Sequence, residues 1–114
     1  MVNSNQKGKR GEREVAALLR KYGFEARRGQ QFSGSPDSPD VVSSLPGAHI
    51  EVKFVERFSL YSALDQAQRD SSDKAMIFHR RKNRKWVIVM YADDFFSETT
   101  EQCLSMANFM RNEE

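Results

Sequence analysis

Pro39-Asp40-Val41-Val42, a turn at Leu45-Pro46-Gly47, and His49-Ile50-Glu51-Val52-Lys53-Phe54 form the stretch on which the reading of this chain turns. Two β-branched residues after Asp40 start a strand, proline and glycine reverse the chain, and a second strand comes back over His49 to Val55. Successive strand side chains alternate faces, so Ile50, Val52 and Phe54 enter a core while His49, Glu51 and Lys53 share the opposite face. With Asp40 on the adjoining strand, two carboxylates and an ammonium lie close together. Burying such a set is costly unless its members pair or bind a cation, which marks the stretch as a candidate site.

Upstream, the period from Lys7 to Tyr22 is helical, with Val15, Leu18, Leu19 and Tyr22 in one apolar stripe. Glu12 falls near the N-terminal extension of that stripe and Glu14 lies further round its edge, so Glu12 is the acid expected to face a sheet. Gly23 ends the helix. Phe24 to Arg28 reads as a short strand, and Gly29 to Ser38 as a loop. Downstream, Ser59 is the expected N-cap of a helix over Leu60 to Ser72, with Leu60, Ala63, Leu64 and Ala67 on its apolar face. Lys74 to His79 and Trp86 to Tyr91 form a hairpin with a basic tip, and Asp94 or Ser97 caps a last helix carrying Leu104, Ala107, Phe109 and Met110. The order α-β-β-β-α-β-β-α predicts an α/β domain with a small mixed β-sheet flanked by helices. Residues 1–6 are polar and expected to be flexible, and 7–114 to form the single domain.

The chain has 114 residues and a single cysteine, Cys103. That length can bury a core without disulfides, and a lone cysteine with no zinc-ligand spacing suits a reducing, cytoplasmic setting. No apolar run has membrane-spanning length, and the polar N-terminus lacks the apolar centre of a signal peptide. The net charge is only +2, yet the charges are segregated. Lys7, Lys9, Arg10, Arg13, Arg27 and Arg28 crowd the front, and Arg80, Arg81, Lys82, Arg84 and Lys85 the hairpin tip. Asp93, Asp94, Glu98, Glu101, Glu113 and Glu114 make the back acidic. A polyanion such as DNA on one face fits that division.

Pro39-Asp40, ten intervening residues and Glu51-Val52-Lys53 together resemble the signature of the PD-(D/E)xK nuclease superfamily. The helix carrying Gly11-Glu12-Arg13-Glu14-Val15 resembles the first helix of archaeal-type Holliday junction resolvases. The resemblance spans most of the chain and implies a restriction-endonuclease-like core and a metal-dependent DNA endonuclease. It makes Asp40 and Glu51, with the Val52 carbonyl, the expected ligands of Mg²⁺ or Mn²⁺. Glu12 becomes a further acid, binding metal directly or through water, and Lys53 the catalytic lysine. Such a lysine orients or deprotonates the attacking water, or stabilises the charge that develops on phosphate. Relatives in the superfamily place a glutamine on the following helix beside the metal, which makes Gln66 the candidate and Gln68 its rival; Tyr61 is left open. His49 reads as the start of its strand, since Mg²⁺ favours oxygen, and Asp37 as a loop residue.

The basic residues would grip phosphates with little base discrimination, which suits branched DNA recognised by shape. Paired cuts on a two-fold junction imply a homodimer. No phosphate-binding glycine-rich lysine loop is present, so no nucleotide cofactor is expected, nor a membrane partner. So small a free-standing nuclease suits a phage or prophage origin. Two alternatives stay open: another nuclease of the same fold, nicking or phage-type, and a nucleic-acid-binding module that does not cleave.

Overall fold

Strand β3 (Ala48–Phe54) lies at the centre of a five-stranded sheet ordered β1-β2-β3-β4-β5. The computed structural model describes residues 4–29 and 39–97. Helix α1 (Ser4–Lys21) leads to β1 (Ala26–Arg28) and β2 (Val41–Ser43), and helix α2 (Leu60–Asp70) follows β3. Strands β4 (Lys74–Arg80) and β5 (Val87–Val89) close the order. β3 and β4 run parallel, with α2 as their crossover; the remaining pairs are antiparallel, so the sheet is mixed.

Each face of the sheet has its own helix. α1 places Val15, Ala16 and Leu19 on Val41, Ile50 and Phe78, all buried, with Val52, Met76 and Trp86 packed at the margin. Close approach is needed at Gly11, where a Cβ would stand 3.1 Å from Val52 Cγ1 and 3.2 Å from Phe54 Cβ. On the other face α2 sets Ala63, Leu64 and Ala67 against Ala75 and Ile77 of β4. In the parallel register Glu51 stands opposite Ile77, and Lys53 opposite His79. Register partners share a face, so Glu51 and Lys53 stand beside the α2 layer and away from α1.

The sequence-based expectations meet these elements with several corrections. Helix α1 starts at Ser4, ahead of the expected Lys7; a solvated first turn needs no apolar residue, so periodicity cannot mark it. Gly23, at φ 95°, ends the helix as expected. Ser59 occupies the N-cap position of α2, but its side chain makes no capping hydrogen bond; only its carbonyl serves the helix, accepting from Ala63 N at 3.1 Å. Residues 92–97 are helical, so Asp94 lies inside that segment and not at its N-cap, while the helix expected to carry Leu104 to Met110 falls outside the described residues. The exposed pair Phe95 and Phe96 hid that start, because apolar residues outside a core carry no period. Asp37, Cys103, Leu104, Ala107, Phe109 and Met110 lie outside the described residues.

Candidate active site

Asp40 is fixed at the mouth of β2 by three backbone contacts. Its amide donates to the Ile50 carbonyl at 2.9 Å, and its own carbonyl accepts from Gly29 N at 2.8 Å. The Val52 amide donates to Asp40 Oδ2 at 2.8 Å. The carboxylate thus replaces a main-chain carbonyl in the β2–β3 ladder and is held against the peptide between Glu51 and Lys53. Gly29 allows this approach: a Cβ there would meet the Pro39 carbonyl oxygen at 2.1 Å. Val41 then enters the core opposite Ile50, and the alternation turns Asp40 to the face that bears Glu51.

Glu51 is 17 % exposed at its side chain and meets His49 Nε2 through Oε1 at 2.8 Å. Lys53 is half-buried on the same face, and its side chain makes no hydrogen bond or ion pair among the described residues. An ammonium with no ion pair among the described residues is available to a phosphate or a water. His79, its register neighbour, stacks on Phe58 at 4.2 Å between ring centroids and places Nε2 3.0 Å from the Val55 carbonyl.

The other predicted site residues are placed differently. Glu12 reaches across to β1, where its Oε2 accepts from Arg28 Nε at 2.9 Å. Among the described residues no group of three or more His, Cys, Asp or Glu is arranged to hold a metal, so Glu12 does not complete a ligand triad with Asp40 and Glu51. Val52, whose carbonyl was the expected metal ligand, also donates its amide to Asp40. Gln66 and Gln68 lie exposed on α2, and the Gln66 side chain forms no hydrogen bond among the described residues. Tyr61 is exposed as well. The carboxylates of Asp40 and Glu51 lie on one face of the sheet, on adjoining strands. Such a pair suits a hard divalent ion that keeps waters and takes substrate oxygens for its remaining positions.

The basic residues divide into two groups. Lys9, Arg13, Arg27, Arg81, Lys82, Arg84 and Lys85 are exposed. Arg80 is built into the fold: its guanidinium lies 4.0 Å from the Phe54 ring centroid and 5.5 Å from Trp86, and its Nη2 is 3.0 Å from Glu14 Oε1. Its Nη1 also donates to the carbonyls of Arg81 and Arg84 at 3.4 and 3.3 Å, shaping the tip. Arg80, expected to contact phosphate, is thus engaged within the fold by Glu14, Phe54 and the tip carbonyls. A charge run conceals that Met76, Phe78 and Arg80 alternate onto the α1 face, and that period of two was the available signal.

Lys7 and Arg10 gather round the same ring, at 4.7 and 5.6 Å. Arg10 also donates to Glu14 at 2.9 Å, while Lys7 stands 3.7 Å from Glu56. Glu14, expected at the edge of the helix stripe, is the centre of this cluster and accepts from Trp86 Nε1 at 3.0 Å. Burial alone would raise its pKa, but hydrogen bonds from Arg80, Trp86 and Arg10 outweigh that and hold the carboxyl below the ordinary glutamate range. The cluster fixes the hairpin and the start of α1 at the end of β3 that follows Lys53.

The family model described as archaeal Holliday junction resolvase (Hjc) matches residues 3–102 of the chain. Among solved structures, the chain is similar to Hjc from Archaeoglobus fulgidus, a Holliday junction resolvase from an archaeal hyperthermophile. The identity is 26 % and the TM-score 0.53, covering 73 % of this chain and 76 % of that one. Comparison with curated protein sequences gives no match.

Proposed function

The chain belongs to the archaeal Holliday junction resolvase family, a family of structure-specific nucleases, and from that premise we propose that it cuts four-way DNA junctions with Mg²⁺ or Mn²⁺ held by Asp40 and Glu51. Resolvases of this family depend on a divalent metal. The observation that carries the assignment of the site is the Val52 amide bond to Asp40, which seats one acid on the strand that bears the other acid and the lysine. When bound, the ion supplies Lewis acidity and an acidified water for phosphodiester hydrolysis.

The chain's own residues do the rest. Asp40 and Glu51 present negative oxygens whose positions are set before substrate arrives, which lowers the entropy that must be lost at binding. Lys53 lies on the same face with no ion pair among the described residues, so its ammonium orients the attacking water or neutralises charge that develops on the scissile phosphate. Arg81, Lys82, Arg84 and Lys85 at the tip, with Lys9 and Arg13 on α1, bind backbone phosphates around that point. Contacts of that kind follow the shape of a junction and read little of its sequence. Glu12 acts through Arg28, steadying β1 next to Asp40. A two-fold substrate calls for a symmetric dimer, and the edge strand β5, with Val87 and Ile88 exposed, offers apolar surface for one. A DNA substrate and the lone cysteine suit a cytoplasmic setting.

The test compares a labelled four-way junction with matched linear duplex, in Mg²⁺, Mn²⁺ and EDTA, for the native chain and for Asp40→Asn and Lys53→Ala. Paired cuts on the junction, lost in EDTA and reduced on the order of 1000-fold by either substitution, are the expected result. Junction binding with no cleavage under either metal would reduce the protein to a DNA-binding domain. Equal cutting of linear duplex would remove junction specificity.

A further inference from the structure

The two acids of the site are held by different kinds of donor. Asp40 is bonded by a main-chain amide, which no substitution at Val52 other than proline removes. Glu51 is bonded by a side chain, His49, and that donor is written into the sequence at one position. We propose that His49 is a positioning residue for the metal-binding carboxylate of Glu51, an inference that rests on the site assigned above.

His49 is 3 % exposed, the one polar side chain buried in the sheet among the described residues, and its Nε2 lies 2.8 Å from Glu51 Oε1. An ionised carboxylate only accepts, so Nε2 carries the hydrogen and donates it. Residues 49 and 51 share a face of β3, which brings the imidazole alongside the carboxylate with no bend in the strand. Ala75, buried and opposite His49 on β4, takes up little of that space. A buried imidazole without a partner would be unfavourable, so the bond supports the fold as well. Its second consequence concerns Glu51. A glutamate has several rotatable bonds, and one free to turn must be ordered when an ion binds. With Oε1 engaged, the carboxylate is already ordered beside Asp40. The arrangement has the form of an outer-shell donor that orients a ligand, and loss of such donors weakens metal binding about 10- to 100-fold.

The experiment measures Mn²⁺ binding to the DNA-free protein by electron paramagnetic resonance, with melting temperature and junction binding in EDTA followed in parallel. The variants are His49→Leu, His49→Gln, His49→Asn, Asp40→Asn and Glu51→Gln. His49→Leu is expected to raise the Mn²⁺ Kd by about 10- to 100-fold while metal-free junction binding stays at the native level. His49→Gln, whose amide nitrogen reaches about as far as Nε2, should recover most of that affinity; His49→Asn, one methylene shorter, should not. Where His49→Leu fails to fold, the Gln and Asn variants decide alone, and equal affinities in those two overturn the proposal. Native Mn²⁺ affinity in His49→Leu overturns it too. In both cases weakened binding in Asp40→Asn and Glu51→Gln leaves the site itself standing. Undiminished binding in those two variants would instead remove the site, and the role of His49 with it.

Discussion

Ile50 and Glu51 are adjacent in one strand, and their surroundings have nothing in common. Ile50 is sealed beneath α1 among Val15, Val41 and Phe78. Glu51 stands on the opposite face beside the α2 layer, bonded to an imidazole and on the same face as an ammonium that has no ion pair among the described residues. The strand supplies both environments through its period of two. On the first face side chains are selected for volume, and on the second for charge and for the donors that hold charge in place. A nuclease site built this way takes its rigidity from a core that it does not touch.

Substitutions at the two faces should separate these roles. The largest effect on stability is expected at Ile50→Ala, about 3 kcal/mol from lost apolar burial and the cavity left under α1, read by urea denaturation. Whatever fraction of that variant remains folded should cut junctions with native metal dependence. Next is Glu14→Gln, which replaces the charged acceptor of Arg80, Arg10 and Trp86 and should cost about 2 kcal/mol. Because the folded-state pKa of Glu14 is depressed, its contribution is present above the ordinary glutamate range and is lost as the pH falls below it. The stability gap between native protein and Glu14→Gln should therefore narrow in acid. A gap that widened would show that the Arg80 cluster does not hold the carboxylate ionised. The smallest change belongs to Glu51→Gln, about 1 kcal/mol or less, since the amide oxygen still accepts from His49; its cleavage should nevertheless be lost. Loss of cleavage in step with stability at both positions would erase the distinction between the faces.

Much of this arrangement was legible in the sequence, and the reasons are local. Alternation over His49 to Phe54 sorted the two faces, the Pro-Gly turn paired the strands, and the helical period of α1 placed Val15 and Leu19 in the core. Spacing also brought Asp40 next to Glu51 and Lys53, because an antiparallel return needs only a short turn. What escaped depends on contacts between elements distant in sequence. Nothing near Glu14 signals Arg80 and Trp86, which lie 66 and 72 residues away. Glu12 was read as a site acid because the helix period sets its direction but not which cation it meets, and that cation is Arg28. His49 was read as a strand start because neither its burial nor its reach to Glu51 is visible until the neighbouring Ala75 is in register. Ser59 shows the reverse case, in which a residue type marked the right position but its hydroxyl took no part.

The central claim is that Asp40 and Glu51 together hold the divalent ion that the reaction uses. Crystals of the protein grown with Mn²⁺ and a junction analogue, measured at the manganese edge, test it most directly. The account predicts an anomalous peak bounded by the carboxylates of Asp40 and Glu51, on the Lys53 side of β3, absent from the Asp40→Asn protein. A peak at other residues, or one that persists unchanged in Asp40→Asn, would contradict it.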